Sequence, residues 1–435
     1  MKIELIKLFL MVGLLLFFYA KNRFHIVFAI VIASSFLGGI NPNIITDIWA
    51  VHFIGLIFLI QLIKNPIING SKKYINPILI WMLLLVMLGV VYGWIIPWPD
   101  LTGERSFNQR SQGRSIIYTV GIGLQILSFL FFISKNTSLR EKGIAINFII
   151  YFSIMCAIFT FVEIVGFDIF NSLNPSNERS IGYQIDGRAR GINGEPRVNS
   201  QILAYGLVTI LIFWKGKYKY FLISIVSIAF LYSMSLSGFI FLLVALFFMI
   251  SSLDNLTKNL GKTIFITLPL LALLYTQSQY IPGLDSMSSF FKSKSSSIED
   301  RGLLEVFDAS AIEFFKNNPK YVVFGVGPGL ISLPASEYIP NYAQAIYGYR
   351  IDSIPHMGII QVISNTGLVG LSLILYFFYN VMSLVYINEK DRKLPEGSAK
   401  YVLILIFLYL LQYNLFIFST LGFFLSSKDP KIAIK

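Results

Sequence analysis

The sequence predicts an all-α polytopic integral membrane protein that crosses the bilayer about 12 times and carries two large loops on one side of it. Three observations lead there. The 435 residues are 55% hydrophobic and only 13% charged, with a mean hydropathy of +0.69, whereas soluble domains carry about 25% charged residues. The apolar residues gather into runs that approach the roughly 20 residues a spanning helix needs. Lys and Arg fall between these runs in alternate connections, the pattern of positively charged cytoplasmic loops. The formal net charge of +12 is thereby explained as topology, which disfavours nucleic acid as a partner.

The runs are 6–20, 24–40, 48–63, 75–93, 116–133, 144–166, 202–214, 220–234, 239–252, 264–276, 357–387 and 401–425. The first lacks a small-x-small cleavage site and is read as retained, and the last two are long enough to bend or divide. No repeat and no inverted symmetry of the runs is evident, so residues 1–435 are expected to form a single membrane domain. Cys156 lies inside a run, where it reads as a small buried hydrophobe with no disulfide partner.

Orientation follows from the clusters Lys64/Lys72/Lys73, Lys135/Arg140/Lys142, Lys215/Lys217/Lys219, Lys258/Lys262 and Lys390/Arg392/Lys393/Lys400, which are placed in the cytoplasm. The connections 94–114, 167–199 and 280–355 then face outward. Counting back puts Lys21 and Arg23 inside and the N-terminus outside, against the preference of Lys2 and Lys7. Trp94, Pro97, Trp98 and Pro99 read as an aromatic belt entering a turn. The patch Lys292-Ser-Lys-Ser-Ser-Ser297 reads as flexible loop.

The outward loops hold the candidate chemistry. Loop 167–199 contains Asp186-Gly-Arg-Ala-Arg-Gly-Ile-Asn-Gly-Glu-Pro-Arg197, where Arg188, Arg190 and Arg197 stand among glycines. Glycine lets the backbone fold close to a ligand, and the planar guanidinium fork suits phosphate oxygens. The segment reads either as an anion site or as a basic turn resting on lipid headgroups. Loop 280–355 adds Arg301 and Arg350, an apolar-faced helix from Leu303 to Phe315, and the turn Phe324-Gly-Val-Gly-Pro-Gly329, which lacks the lysine and context of a nucleotide loop. His356 closes the loop at the expected start of a helix, where an imidazole tends to stay neutral and able to accept a proton. His25 and His52 read as structural. Neither the histidines with Cys156 nor any Asp/Glu cluster has metal-ligand spacing, so metal-free and cofactor-free chemistry is expected. Glu163 reads as a charge reaching the outer interface.

Taken in order, these pieces resemble the O-antigen polymerase and O-antigen ligase superfamily of bacterial membrane glycosyltransferases. The resemblance rests on Arg188-x-x-Gly191 with Glu195-Pro196 before a span, Ser233-Met-Ser-Leu-Ser-Gly238 in the following hairpin, Arg301 before the helix and Phe324–Gly329, and His356 followed by Gly367-Leu-Val-Gly370. It covers the chain from Arg188 onward. Where the family often has Ser-Arg, this chain has Ser237-Gly238; where ligases commonly have Asn after the histidine, it has Met357. Met357 and the Glu195-Pro196 pair favour the polymerase.

The resemblance implies a GT-C-like membrane fold and transfer of a growing glycan from undecaprenyl diphosphate to a sugar hydroxyl of an incoming lipid-linked repeat unit. It places that reaction at the outer face of the bacterial cytoplasmic membrane, with a chain-length regulator protein as a further partner. His356 would be the base, while Arg188, Arg190, Arg197, Arg301 and Arg350 would hold the diphosphate. The alternatives are a ligase that transfers glycan to a lipid A core and, outside enzymes, a flippase for lipid-linked oligosaccharide.

Overall fold

A computed structural model describes residues 2–36, 49–64, 72–98, 110–135, 137–167, 189–193, 195–233, 238, 241–242, 245, 306–339, 355–411 and 416–426. The described residues form helices and turns and include no β-strand. The longer elements are α1 (Lys2–Ala20), α2 (Phe24–Phe36), α3 (Ala50–Lys64), α4 (Lys72–Val90), α5 (Ser111–Ile133), α6 (Leu139–Ile164), α7 (Pro196–Phe213), α8 (Lys219–Ser233), α9 (Val306–Asn317), α10 (Ser332–Ala335), α11 (Gly358–Lys390), α12 (Ser398–Leu411) and α13 (Phe416–Leu425).

Among the described residues, five helical stretches are long and apolar enough to cross a membrane: Asn76–Ile95, Ser111–Ile133, Leu139–Ile164, Pro196–Phe213 and Gly358–Lys390. Large apolar side chains stay exposed on helix faces, among them Phe9, Ile63, Leu83, Tyr220 and Tyr379, as a lipid-facing surface requires and a water-facing one penalises. Apolar runs that fall on described residues are helices. The run 401–425 divides into α12 and α13, while 239–252 lies largely, and 264–276 wholly, outside the described residues.

The chain forms two compact units. The first is built from Met1–Ala50, Thr137–Ser297 and Asn388–Leu405. Ser138 starts α6 with a capping box, its hydroxyl accepting from the Glu141 N–H while Glu141 Oε2 accepts from the Ser138 N–H at 2.7 Å. The same glutamate lies 3.5 Å from His25 Nδ1. At the middle of this unit, α7 is buried from Asn199 to Ile210. Its Gly206 faces Ser153 of α6 so closely that a Cβ would collide with that side chain, a small-residue contact of the kind that holds helices together in lipid.

The second unit comprises Val51–Asn136, Ile298–Ile387 and Ile406–Lys435. Here α5 packs on α13 through a Ser128–Ser419 hydroxyl bond of 2.7 Å, and Gly422 abuts the Phe129 carbonyl. At its C-terminal end α4 runs into a π-turn over Val91–Ile95. Ser115 and Ser111 of α5 donate to the Gly89 and Tyr92 carbonyls there, at 2.7 and 2.9 Å. Long α11 is broken at Gly367, whose φ of 66° and ψ of −165° are not helical.

Candidate functional site

In the first unit, the described part of the arginine loop sits against the end of α6. Glu163 Oε2 accepts from the N–H groups of Arg190 and Gly191 at 2.7 and 2.5 Å. Its Oε1 lies 3.6 Å from Arg190 Nε. One carboxylate therefore satisfies two backbone donors and balances one guanidinium, which makes a charge at the end of the apolar helix Leu139–Ile164 tolerable. Arg190 is 1% exposed, and Arg197 is half-buried.

Gly191 adopts φ +58°, and a Cβ there would crowd Thr160 and Asn199, so the turn requires glycine on both counts. Below it, Asn193 donates to Asn199 Oδ1 at 2.9 Å, and Asn199 donates to Thr160 Oγ1 and Ser233 Oγ at 2.9 and 2.8 Å. The Ala189 N–H donates to the Tyr232 carbonyl at 3.0 Å. The segment around Arg190, the start of α7 and Ser233 at the end of α8 thus meet in one buried polar cluster. Gly238 adds to it by lying against Ser200.

In the second unit, His356 follows a buried Pro355 and precedes α11. Two successive residues of α9 meet His356 and Met357. The Phe307 ring meets the imidazole edge to face, with centroids 6.3 Å apart and planes at 81°. Asp308, 2% exposed, accepts from the Met357 N–H at 3.0 Å, which satisfies an orphan donor at the helix start and places negative charge at its positive end.

The glycine-rich turn belongs to the same assembly. The Val326 N–H takes the Ser364 carbonyl at 2.8 Å, and the Leu368 and Val369 N–H groups donate instead to the Val322 and Val323 carbonyls at 2.9 and 3.2 Å. The turn thereby occupies the ladder position that Leu368 would have used, and α11 breaks there. Gly329, at φ +68°, leaves no room for a Cβ against Tyr118. Its N–H donates to Asn365 Oδ1 at 3.1 Å and its carbonyl accepts from Arg114 Nε at 2.5 Å. Trp98 Nε1 donates to the Val326 carbonyl at 3.1 Å. Beneath, Ala311, Phe314, Phe315, Val326, Ile331, Ala335 and Ile360 form one apolar core.

Beside Pro355 the described residues of this unit leave a narrow cleft lined by Phe307, Ser310, Ser332, Ser336 and aliphatic side chains.

Of the expected site residues, Arg190 and Arg197 lie in the first unit and His356 in the second. Arg188, Arg301 and Arg350 lie outside the described residues. Glu163, Asp308 and Arg114 were not singled out as site residues from sequence. A carboxylate at the end of an apolar run costs about 2.5–3.5 kcal/mol if centred in the bilayer, and that cost was the available signal for Glu163. Asp308 and Arg114 carry no such mark, because their partners are backbone groups far along the chain. No protein-family model matches the sequence, and no curated protein matches it significantly.

Proposed function

We propose that the chain is a surface-polysaccharide polymerase of the O-antigen type, acting on lipid-linked repeat units at the outer face of the membrane. The observation that supports this most is the convergence, within each unit, of motif segments that are distant in sequence. Around His356 the helix from Val306, the Phe324–Gly329 turn and the Gly367 break bond to one another. Around Arg190 the turn, the start of α7 and Ser233 do the same. Packing alone does not call for a histidine set against an aromatic ring and followed at once by a helix start anchored on a buried carboxylate.

In the proposed reaction, the acceptor hydroxyl oxygen attacks the anomeric carbon of the donor glycan and its proton passes to His356. The bond from that carbon to the diphosphate oxygen breaks, and undecaprenyl diphosphate leaves with the electron pair. Arg188, Arg190, Arg197, Arg301 and Arg350 stabilise the charge that develops on it. A positioned base contributes about 10²–10⁴-fold, and fixed charge around a leaving group contributes a comparable or larger factor.

The test is elongation by purified protein given lipid-linked repeat units in detergent, with no second compartment. Longer glycans support the polymerase, whereas transport in vesicles without elongation supports the flippase. In cells, deletion is expected to leave surface lipopolysaccharide bearing one repeat unit; loss of every repeat unit would assign the ligase reaction instead.

A further inference from the structure

We propose that the glycine-rich turn is a re-entrant element of the membrane, and that Val323 and Phe324 at its tip rest among the acyl chains of the adjoining leaflet. The proposal goes beyond the polymerase reading and does not depend on it. Its first ground is depth. Gly327 lies against the Leu88 carbonyl and the Tyr92 side chain, Pro328 lies beside Gly89, and Gly329 meets the Tyr118 ring. These neighbours belong to the apolar stretches Asn76–Ile95 and Ser111–Ile133, which are long enough to span the hydrocarbon. Leu88 and Tyr118 stand seven residues in from the ends at Ile95 and Ser111, or about 10 Å along a helix. The turn is therefore packed at the level of the hydrocarbon and not above it.

The backbone of the turn is the second ground. Lipid offers no hydrogen bonds, so irregular backbone at membrane depth persists only where the protein itself satisfies it. Here the Gly325, Val326 and Gly329 N–H groups donate to the Tyr321 carbonyl, the Ser364 carbonyl and Asn365 Oδ1, while the Val322, Val323, Val326 and Gly329 carbonyls accept from Leu368, Val369, Trp98 and Arg114. Residues 325–333 are buried, whereas Val323 and Phe324 are 46% and 52% exposed. Both adjoin α11 where Leu368 and Val369 are exposed, just past the break. Leu368, Leu375 and Tyr379 recur at helical spacing on one exposed face of the spanning stretch Gly358–Lys390, so the tip continues a surface that lipid already wets. Water would penalise that continuous apolar patch. Lys316 and Lys320 are exposed shortly before the tip, where long cationic side chains reach from an apolar surface to headgroup phosphates.

The experiment measures depth directly. A nitroxide is attached at Phe324→Cys in the full-length protein, which is reconstituted into vesicles of phosphatidylethanolamine and phosphatidylglycerol. Collision with oxygen, which partitions into lipid, is compared with collision with a water-soluble nickel chelate. Tyr379→Cys on α11 supplies the lipid reference and Lys316→Cys on α9 the water reference. Native Cys156 is fully buried, and wild-type protein gives the background labelling. The label at position 324 is expected to match the lipid reference, with a ratio of oxygen to nickel collisions severalfold above that of the water reference. Val323→Cys should give the same ordering and repeats the measurement independently of any disturbance at position 324. A ratio like that of the water reference overturns the proposal by placing the tip outside the hydrocarbon. Access to neither reagent also overturns it, because the tip is then covered by another segment of the chain or by a second copy. Neither outcome bears on elongation, which is tested separately.

Discussion

Arginine and histidine are asked for different things in the proposed reaction, and single substitutions separate them. Lys keeps the charge of Arg but not its planar fork, so Arg190→Lys and Arg301→Lys are expected to lose most elongation activity at normal membrane levels. At Arg190 the change also shortens the reach to Glu163. His356→Ala removes the base and leaves a slow residual reaction. Normal elongation by both Lys variants, or full activity of His356→Ala, would dismiss the site. Glu163→Ala removes the acceptor of two backbone donors and the carboxylate beside a buried guanidinium; with charge-assisted bonds worth about 1.5–3 kcal/mol each, a lower melting temperature in detergent is expected, with Glu163→Gln falling between Ala and wild type. Arg190 and His356 could be picked from the sequence because the first stands among glycines in a polar loop and the second closes the other polar loop at the start of a helix. Asp308 could not, because nothing local distinguishes it from any acidic residue in the first turn of a helix.

The helices were readable because apolar runs of that length have few other solutions in lipid. A bend within the run 357–387 was expected from its length, but its place at Gly367 was not, since the uncharged Ser364-Asn365-Thr366 before it does not by itself stop a helix and the competing hydrogen bonds come from residues 322–326. Gly367 stands in a conformation open essentially to glycine alone, and a Cβ there would collide with the Val323 carbonyl. Gly367→Ala is therefore expected to cost more than 1–3 kcal/mol, read as loss of folded protein in a detergent melt. Gly143→Ala is the matched control: it lies in α6 with nothing within 4 Å of the added carbon, and should be neutral or stabilising by up to about 1 kcal/mol. Equal melting of the two variants would mean that the break is not built as described.

Topology is the property of the entire chain on which the chemistry depends. Cysteine placed at Ser180 or Ser295 is expected to react with an impermeant thiol reagent in intact spheroplasts, because both loops are assigned outward by the lysine clusters on the alternate connections. Reaction only after the membrane is broken would reverse the orientation and end the polymerase reading. Composition was enough for the membrane class, but the grouping of distant segments into two units was not readable, since helices of similar apolarity give no signal of which neighbours they choose.

The break in α11 also constrains how the protein is made. The Leu368 and Val369 amides find their acceptors on a segment synthesised well before them, and an amide without an acceptor in hydrocarbon costs several kcal/mol. The span from Gly358 to Lys390 therefore cannot settle as an autonomous insertion unit: residues 322–326 must already be in place, so biogenesis of this helix waits on the loop that precedes it.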